Sequence, residues 1–195
     1  MKGAPTNGIV TYRLIDDSGR NVSNYNIRGE ICVRGPCVIQ GYYENEQANA
    51  DSFSSDGWFK TGDIGYCDSG TKKWYIVDRK KELIKVRGFQ VAPLEIEGVL
   101  LAHPGIIDTA VIGVYLSRDG SELPRAYVVR RPGLGDGLTE EAVKQYSSQK
   151  LSKYKSIDGG VKFVDSIPKN ATGKILKRLL KEEAQSEINA GRSRL

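Results

Sequence analysis

The apolar residues of this 195-residue chain change their spacing near residue 78, and that change limits the fold more than any other feature. Before it, apolar and polar residues alternate in short runs broken by glycine, aspartate and proline. Such period-two runs suit strands with one buried face, because successive side chains point to opposite sides. Val10, Tyr12 and Leu14 lead into Asp16-Asp17-Ser18-Gly19, which reads as a hairpin turn. Residues 30–33 form a second strand that stops at Arg34-Gly35-Pro36, since proline cannot donate to an inner ladder. Residues 57–67 and 73–77 read as a further pair across Asp68-Ser69-Gly70.

After residue 78, strands alternate with helices. Pro93 suits a first helical turn, with Leu94, Gly98 and Leu101 following on one face. Strands are expected over 110–115, 126–130 and 161–164. Thr139 is the N-cap of a helix reaching about residue 151. A last helix covers 175–188, with Ile175, Leu176, Leu179, Leu180 and Ala184 facing inward. The pattern predicts an α+β chain: a small β-rich subdomain over 1–77, then a compact mixed α/β unit with a three-stranded sheet and flanking helices.

Composition narrows the function classes. Hydrophobic residues make up 39% and charged residues 27%, as in ordinary globular domains. No apolar run approaches the ~20 residues needed to cross a membrane, and residues 1–7 hold no secretory-type apolar stretch. Cys32, Cys37 and Cys67 are odd in number and lack metal-ligand spacing, and His103 is the only histidine, so free thiols are expected and a protein metal site is not. The net charge of +5 is unevenly spread: 1–77 holds 8 basic and 9 acidic residues, leaving 21 basic and 15 acidic residues for 78–195. A basic half suits an anionic partner such as a nucleotide or polyphosphate. No Arg-rich tract, aromatic RNA-binding motif or zinc knuckle points to nucleic acid.

Four segments carry the chemistry. In Thr61-Gly62-Asp63, a carboxylate beside a glycine in a tight turn can accept two hydroxyl protons, as a ribose diol offers. Residues 78–95 place five cations and Gly88 between the two units, where they can meet phosphate while the chain bends. Pro168-Lys169-Asn170-Ala171-Thr172-Gly173-Lys174 leads into a helix, whose unpaired N–H groups suit an anion. It is not a P-loop, because the required spacing is absent and Ile175 follows the lysine. The tail Ser193-Arg194-Leu195 differs from the peroxisomal S-K-L address only by Arg for Lys.

Together these segments resemble the adenylate-forming superfamily of acyl-CoA synthetases, coumarate–CoA ligases, luciferases and peptide-synthetase adenylation domains. The resemblance runs from about residue 21 to residue 180. It includes Gly29-Glu30-Ile31-Cys32-Val33-Arg34-Gly35-Pro36, Gly41-Tyr42-Tyr43, Thr61-Gly62-Asp63, Asp78-Arg79, His103-Pro104-Gly105 and residues 168–174. Residues 85–93 are similar to the coumarate-ligase and luciferase branch. The resemblance implies a C-terminal portion of an ATP-dependent acyl- or aryl-CoA ligase, active in fatty acid or secondary metabolism. Residues 1–77 would end the AMP-binding domain, 78–81 would be the hinge, 82–188 the mobile lid, and 189–195 a tail with a peroxisomal signal.

By the same resemblance, Asp63 and Arg79 would hold the ribose of ATP and of the acyl-adenylate, and Lys81 would be the pivot. Lys174 would bridge the attacking carboxylate and the α-phosphate. Lys85, Arg87, Gly88 and Gln90 would serve thioester formation with CoA, Lys85 and Gln90 at the reacting centre and Arg87 and Gly88 against CoA itself. ATP, CoA and a carboxylic acid are the implied substrates. Mg²⁺ is expected from residues upstream of this chain, as are the phosphate loop and the acid pocket. The fragment alone would lack activity, and the missing N-terminal part or a partner ligase would complete it. Two other readings are a stand-alone, non-catalytic lid that binds nucleotide or docks on a ligase, and an adenylation domain loading a carrier protein. The second is disfavoured because no carrier segment follows Lys174.

Overall fold

The computed structural model describes residues 10–116 and 120–192, with side chains as far as residue 190. The chain divides into two compact units, Met1–Lys81 and Glu82–Leu195.

In the first unit, strands β1 (Thr11–Ile15), β2 (Gly29–Arg34), β3 (Phe59–Cys67) and β4 (Trp74–Arg79) form an antiparallel sheet in the order β1-β2-β3-β4. A short helix α1 (Glu46–Ser52) is capped by Asn45, whose side chain accepts from the Ala48 amide. The turn after β1 forms, with the Asp16 carboxylate accepting from the Ser18 and Arg20 amides at 2.9 and 3.0 Å. It does not make the expected hairpin. Across it lie the isolated bridge of Ile15 with Asn21 and the Asp16 and Val22 amides donating to the Arg20 and Leu14 carbonyls, but the ladder partner of β1 is β2. The segment after the turn is mostly polar (Asn21, Ser23, Asn24, Asn26), and its Val22, Tyr25 and Ile27 do not alternate into one buried face, so β1 pairs with the apolar strand beyond it. The pair β3–β4 matches expectation. Ile15, Cys32 and Trp58 form one buried cluster, with the Arg13 and Arg34 guanidinium groups 4.6 and 4.8 Å from the indole centroid, and Leu14, Ile31, Ile64 and Cys67 are buried as well.

The second unit is built on a three-stranded sheet, β7 (Ile106–Val114), β8 (Leu123–Arg130) and β9 (Val161–Phe163). β7 and β8 are antiparallel, and β8 and β9 are parallel. Alternation along β7 and β8 serves two cores. Val111, Ala126 and Val128 face Ile96 and Leu100 of α2 (Pro93–Leu101) and Val143 of α3 (Glu140–Ser148). Ala110, Ile112, Val114, Tyr127 and Val129 face Leu180 and Ala184 of α4 (Lys177–Arg192). A two-stranded hairpin, β5 (Ile84–Val86) and β6 (Phe89–Val91), adds Ile84, Val86 and Val91 to the first core.

Thr139 caps α3 as expected, accepting from the Ala142 amide. The inward stripes of the other helices differ from the sequence reading. In α2, Leu94 and Leu101 are exposed, and Ile96, Glu97 and Leu100 are buried. That helix is apolar nearly all round, so periodicity alone could not choose its face. In α4, Leu180 and Ala184 are buried while Leu176 and Leu179 are exposed, because the helix starts only at Lys177 and the i, i+4 pair meets the sheet.

Candidate functional sites

In the first unit, Thr61, Gly62 and Asp63 lie within β3 rather than in a turn. The ladder places Asp63 opposite Arg79 on β4, and the Arg79 Nε stands 3.1 Å from the Asp63 carboxylate. The two residues expected at one ribose are therefore cross-strand neighbours. The contact occupies one carboxylate oxygen, and a carboxylate offers about four acceptor sites, so room remains for a diol. Thr61 fixes the strand locally: its hydroxyl donates to the Ile31 carbonyl at 2.8 Å and accepts from the Asp63 amide. Beside them opens a cavity of about 400 Å³ whose lining includes Tyr42, Thr61, Gly62, Arg79, Lys80 and Lys81. Four cations, Lys60, Arg79, Lys80 and Lys81, stand there against the carboxylates of Asp51 and of Glu30, which is paired with Lys80. This surplus beside an aromatic ring suits an anionic ligand of nucleotide type.

Asp78 and Arg79 are the last residues of β4, and Lys81 lies exposed in the 3-10 turn Lys80–Glu82. Its neighbour was not singled out in the sequence. Lys80 donates to the buried Glu30 carboxylate at 2.8 Å and also approaches Asp17 at 3.7 Å. The hydrogen bond to Glu30 raises the Lys80 ammonium above its usual pKa, against the opposing effect of partial burial. The strand end before Lys81 is thus pinned by charge. A signal existed in Gly29-Glu30 among apolar neighbours, a lone acid in a buried strand that needs a cation.

The cationic segment after Lys81 forms the β5–β6 hairpin, two strands that the sequence pattern does not show. Lys85 and Gln90 are directly paired across it and both are exposed. Arg87 and Gly88 make its two-residue turn, with φ of 46° and 87°. Positive φ at both central positions is the type I′ turn that matches strand twist, and Gly88 takes the second at no steric cost. All four residues expected at a thioester centre therefore share one rigid hairpin. Its outer edge is held by Glu122: the Lys85 amide donates to the Glu122 carboxylate at 2.8 Å, and the Glu122 amide donates to the Lys85 carbonyl at 3.0 Å. Phe89 stacks on Tyr154 with centroids 4.6 Å apart.

Lys174 stands on a closed turn, not at a helix start. The Asn170 amide donates to the Lys174 carbonyl at 2.9 Å, and Lys169 bridges Ile175. The Asn170 side-chain oxygen accepts from the Thr172 hydroxyl, the Thr172 amide and the Lys174 amide at 2.8, 3.1 and 2.8 Å. This corrects the expectation that open helix N–H groups would meet an anion: the Lys174 N–H is already bonded, and α4 begins three residues later. What Lys174 offers is its exposed ammonium. Among the described residues, Lys81, Lys85, Arg87 and Lys174 take part in no ion pair, so their charges are uncommitted. His103 is a turn residue, its Nδ1 accepting from the Gly105 amide at 3.0 Å. Ser193-Arg194-Leu195 lies outside the described residues. No group of three or more His, Cys, Asp or Glu among the described residues is placed to hold a metal ion.

Comparison with known proteins places these sites in context. Residues 95–174 match the family described as the AMP-binding enzyme C-terminal domain. A phenylacetyl-CoA ligase of Aspergillus niger is 52% identical over 176 residues, covering 90% of this chain and 32% of its own. A probable 4-coumarate–CoA ligase of Dictyostelium discoideum is 46% identical over 155 residues, covering 80% of this chain and 27% of its own. Among solved structures, ATP-bound MatB from Rhodopseudomonas palustris superposes with a TM-score of 0.80 at 35% identity, covering 90% of this chain and 34% of that one. The chain spans about a third of the length of these relatives.

Proposed function

We propose, from the match of residues 95–174 to the AMP-binding enzyme C-terminal domain family, that the chain is the C-terminal part of an ATP-dependent acyl- or aryl-CoA ligase. The ligase would activate a carboxylic acid as its adenylate and transfer the acyl group to CoA. Aryl acids and fatty acids are both candidate classes, since the acid pocket lies outside this chain and its relatives include a phenylacetyl-CoA ligase, a probable 4-coumarate–CoA ligase and an acyl-CoA ligase. The observation that carries the reading is that one compact unit presents two lysines outside any ion pair among the described residues, on two separate elements, Lys174 on its Asn170-organised loop and Lys85 on strand β5 of the β5–β6 hairpin.

Two elements suit two half-reactions. Lys174 would act in adenylation, its ammonium offsetting the charge that builds up as a carboxylate meets the α-phosphate. Lys85 and Gln90, with Arg87 and the bare backbone at Gly88, would attend thioester formation. Exchange between them requires rotation about Lys81, so the lid would gate the two steps. Asp63 and Arg79 would hold the ribose throughout. Mg²⁺, the phosphate loop and the acid pocket would come from the missing N-terminal part or from a partner ligase, and the chain alone would be inactive. We further propose that Ser193-Arg194-Leu195 directs the protein to peroxisomes; a fluorescent fusion should lose punctate localisation when the tripeptide is removed.

The test separates the half-reactions in a ligase carrying this C-terminal part. Lys174→Ala should slow adenylation, read by pyrophosphate exchange, by about 100- to 1,000-fold, the usual range for removing one charge-stabilising donor. It should spare thioester formation from supplied adenylate. Lys85→Ala should do the reverse. Equal losses in both steps for both variants would sink the two-element mechanism. An immunoblot against residues 78–174 gives the native size: a band of several hundred residues supports the ligase, and one matching this chain points to a separate lid.

A further inference from the structure

Lys177, the first residue of α4, places its ammonium 2.9 Å from the carboxylate of Glu97 on α2. Glu97 is buried and Lys177 mostly so, with side-chain exposures of 6% and 13%. The same Glu97 oxygen accepts from the Val111 amide in β7 at 2.8 Å. An ion pair this buried is poor value for stability, because desolvation offsets most of the attraction and apolar replacements are often neutral or better. Its best-attested use is to fix register. Here the register is that of the residue three positions after Lys174.

The other foot of the same loop is tied to the same strand. Lys169 pairs with Asp108 of β7 at 2.6 Å. The loop from 169 to 177 is therefore clamped at both ends to positions three residues apart on β7: directly through Asp108, and through Glu97 to Val111. Between the feet, the Leu176 amide donates to the Pro168 carbonyl at 2.8 Å, and Asn170 closes the turn around the Lys174 amide. A lysine side chain has four rotatable bonds and little stiffness of its own, so the place where its backbone stands decides where its charge can act.

We infer that Glu97 and Lys177, with Asp108 and Lys169 as the second foot, are positioning residues that set where the Lys174 ammonium stands. This rests on the role proposed for Lys174. Neither Glu97 nor Lys177 touches substrate in this scheme; each acts through the backbone of the loop. The consequence is one-sided, because the β5–β6 hairpin carrying Lys85 is held by other bonds, those to Glu122.

The experiment measures both half-reactions in the full-length ligase for Glu97→Gln, Lys177→Met, Lys177→Arg, Asp108→Asn and Lys174→Ala. Glu97→Gln and Lys177→Met should lower kcat for adenylation by about 100-fold, the cost of a misplacement near 1 Å. The KM for ATP and the rate of thioester formation from supplied adenylate should hold. Lys177→Arg should restore adenylation. Asp108→Asn, which breaks only a partly exposed pair and leaves the fold intact, should give a smaller loss in the same direction. Equal losses in both half-reactions would show that the pair serves the fold alone, and unchanged adenylation would show that it serves nothing here; either overturns the inference. If Lys174→Ala leaves adenylation intact, the ligase reading fails. If Lys174→Ala suppresses it while Glu97→Gln does not, only the positioning role fails.

Discussion

At the residue scale, chemistry was easier to find than position. Lys174, Lys85, Asp63 and Arg79 are marked in the sequence by the resemblance of their motifs to those of adenylate-forming enzymes. Their partners do not stand out. Asn170 organises the turn beneath Lys174 through three hydrogen bonds to one oxygen, yet in the sequence it is one polar loop residue among several. Gly88 shows a residue whose type follows from backbone alone. At φ 87° an added Cβ meets no neighbour, so any penalty comes from conformation. Gly88→Ala should therefore lower the stability of the second unit by about 1–2 kcal/mol, the cost of holding an L-residue in a sparsely populated region. Hydrogen exchange of the β8 amides would measure it. An unchanged exchange rate would mean that the turn relaxes to another type.

At the element scale, β5 and β6 were missed because three-residue strands carry too few side chains to show a period. What makes them strands is tertiary: Ile84, Val86 and Val91 enter the core, and Glu122 completes the outer edge. Gly113 permits that edge, since a Cβ there would stand 2.8 Å from the Glu122 carboxylate. Gly113→Ala should push Glu122 away and speed exchange of the Lys85 amide relative to that of Val128. Helix α4 is held to the sheet by a second set of charges, Lys162 with Glu183 and Glu187, and Arg125 with Glu187 at 2.5 Å. The hydrogen bond from Lys162 is the chief cause that holds the Glu187 carboxyl below its usual 4.5. A depressed carboxyl contributes stability that is complete above its unfolded pKa and is lost as pH falls through the folded one. Exchange protection of α4 should thus decline on acidification below about pH 4.5, and Glu187→Gln should flatten that decline. An identical acid profile in the variant would mean that these exposed pairs contribute nothing to α4.

At the scale of the whole molecule, the two units differ in how they are built. The second buries two clusters of apolar residues, one on each face of its sheet, whereas the first buries fewer: the cluster of Ile15, Cys32 and Trp58, with Leu14, Ile31, Ile64 and Cys67. Stability rises with the apolar area removed from water, so the first unit should open first. Both tryptophans, Trp58 and Trp74, lie in the first unit, so their fluorescence reports on it alone. In urea, the fluorescence midpoint of the chain should fall below that of hydrogen-exchange protection in β8. Coincident midpoints would mean that the units unfold as one.

The sequence by itself determined the mixed class of the chain, and by resemblance it marked the candidate reactive groups. Period-two runs, Thr139 before a helix and Pro93 at a helix start are local signals, and short-range sterics and hydrogen bonding are enough to read them. The motifs of 61–63, 85–90 and 168–174 are local too. Tertiary structure alone decided which strand β1 joins, which faces of α2 and α4 are buried, and where the clamps fall. Those outcomes depend on pairs far apart in the chain, Glu97 with Lys177 and Lys85 with Glu122, whose energies exist only once packing has removed water from between them.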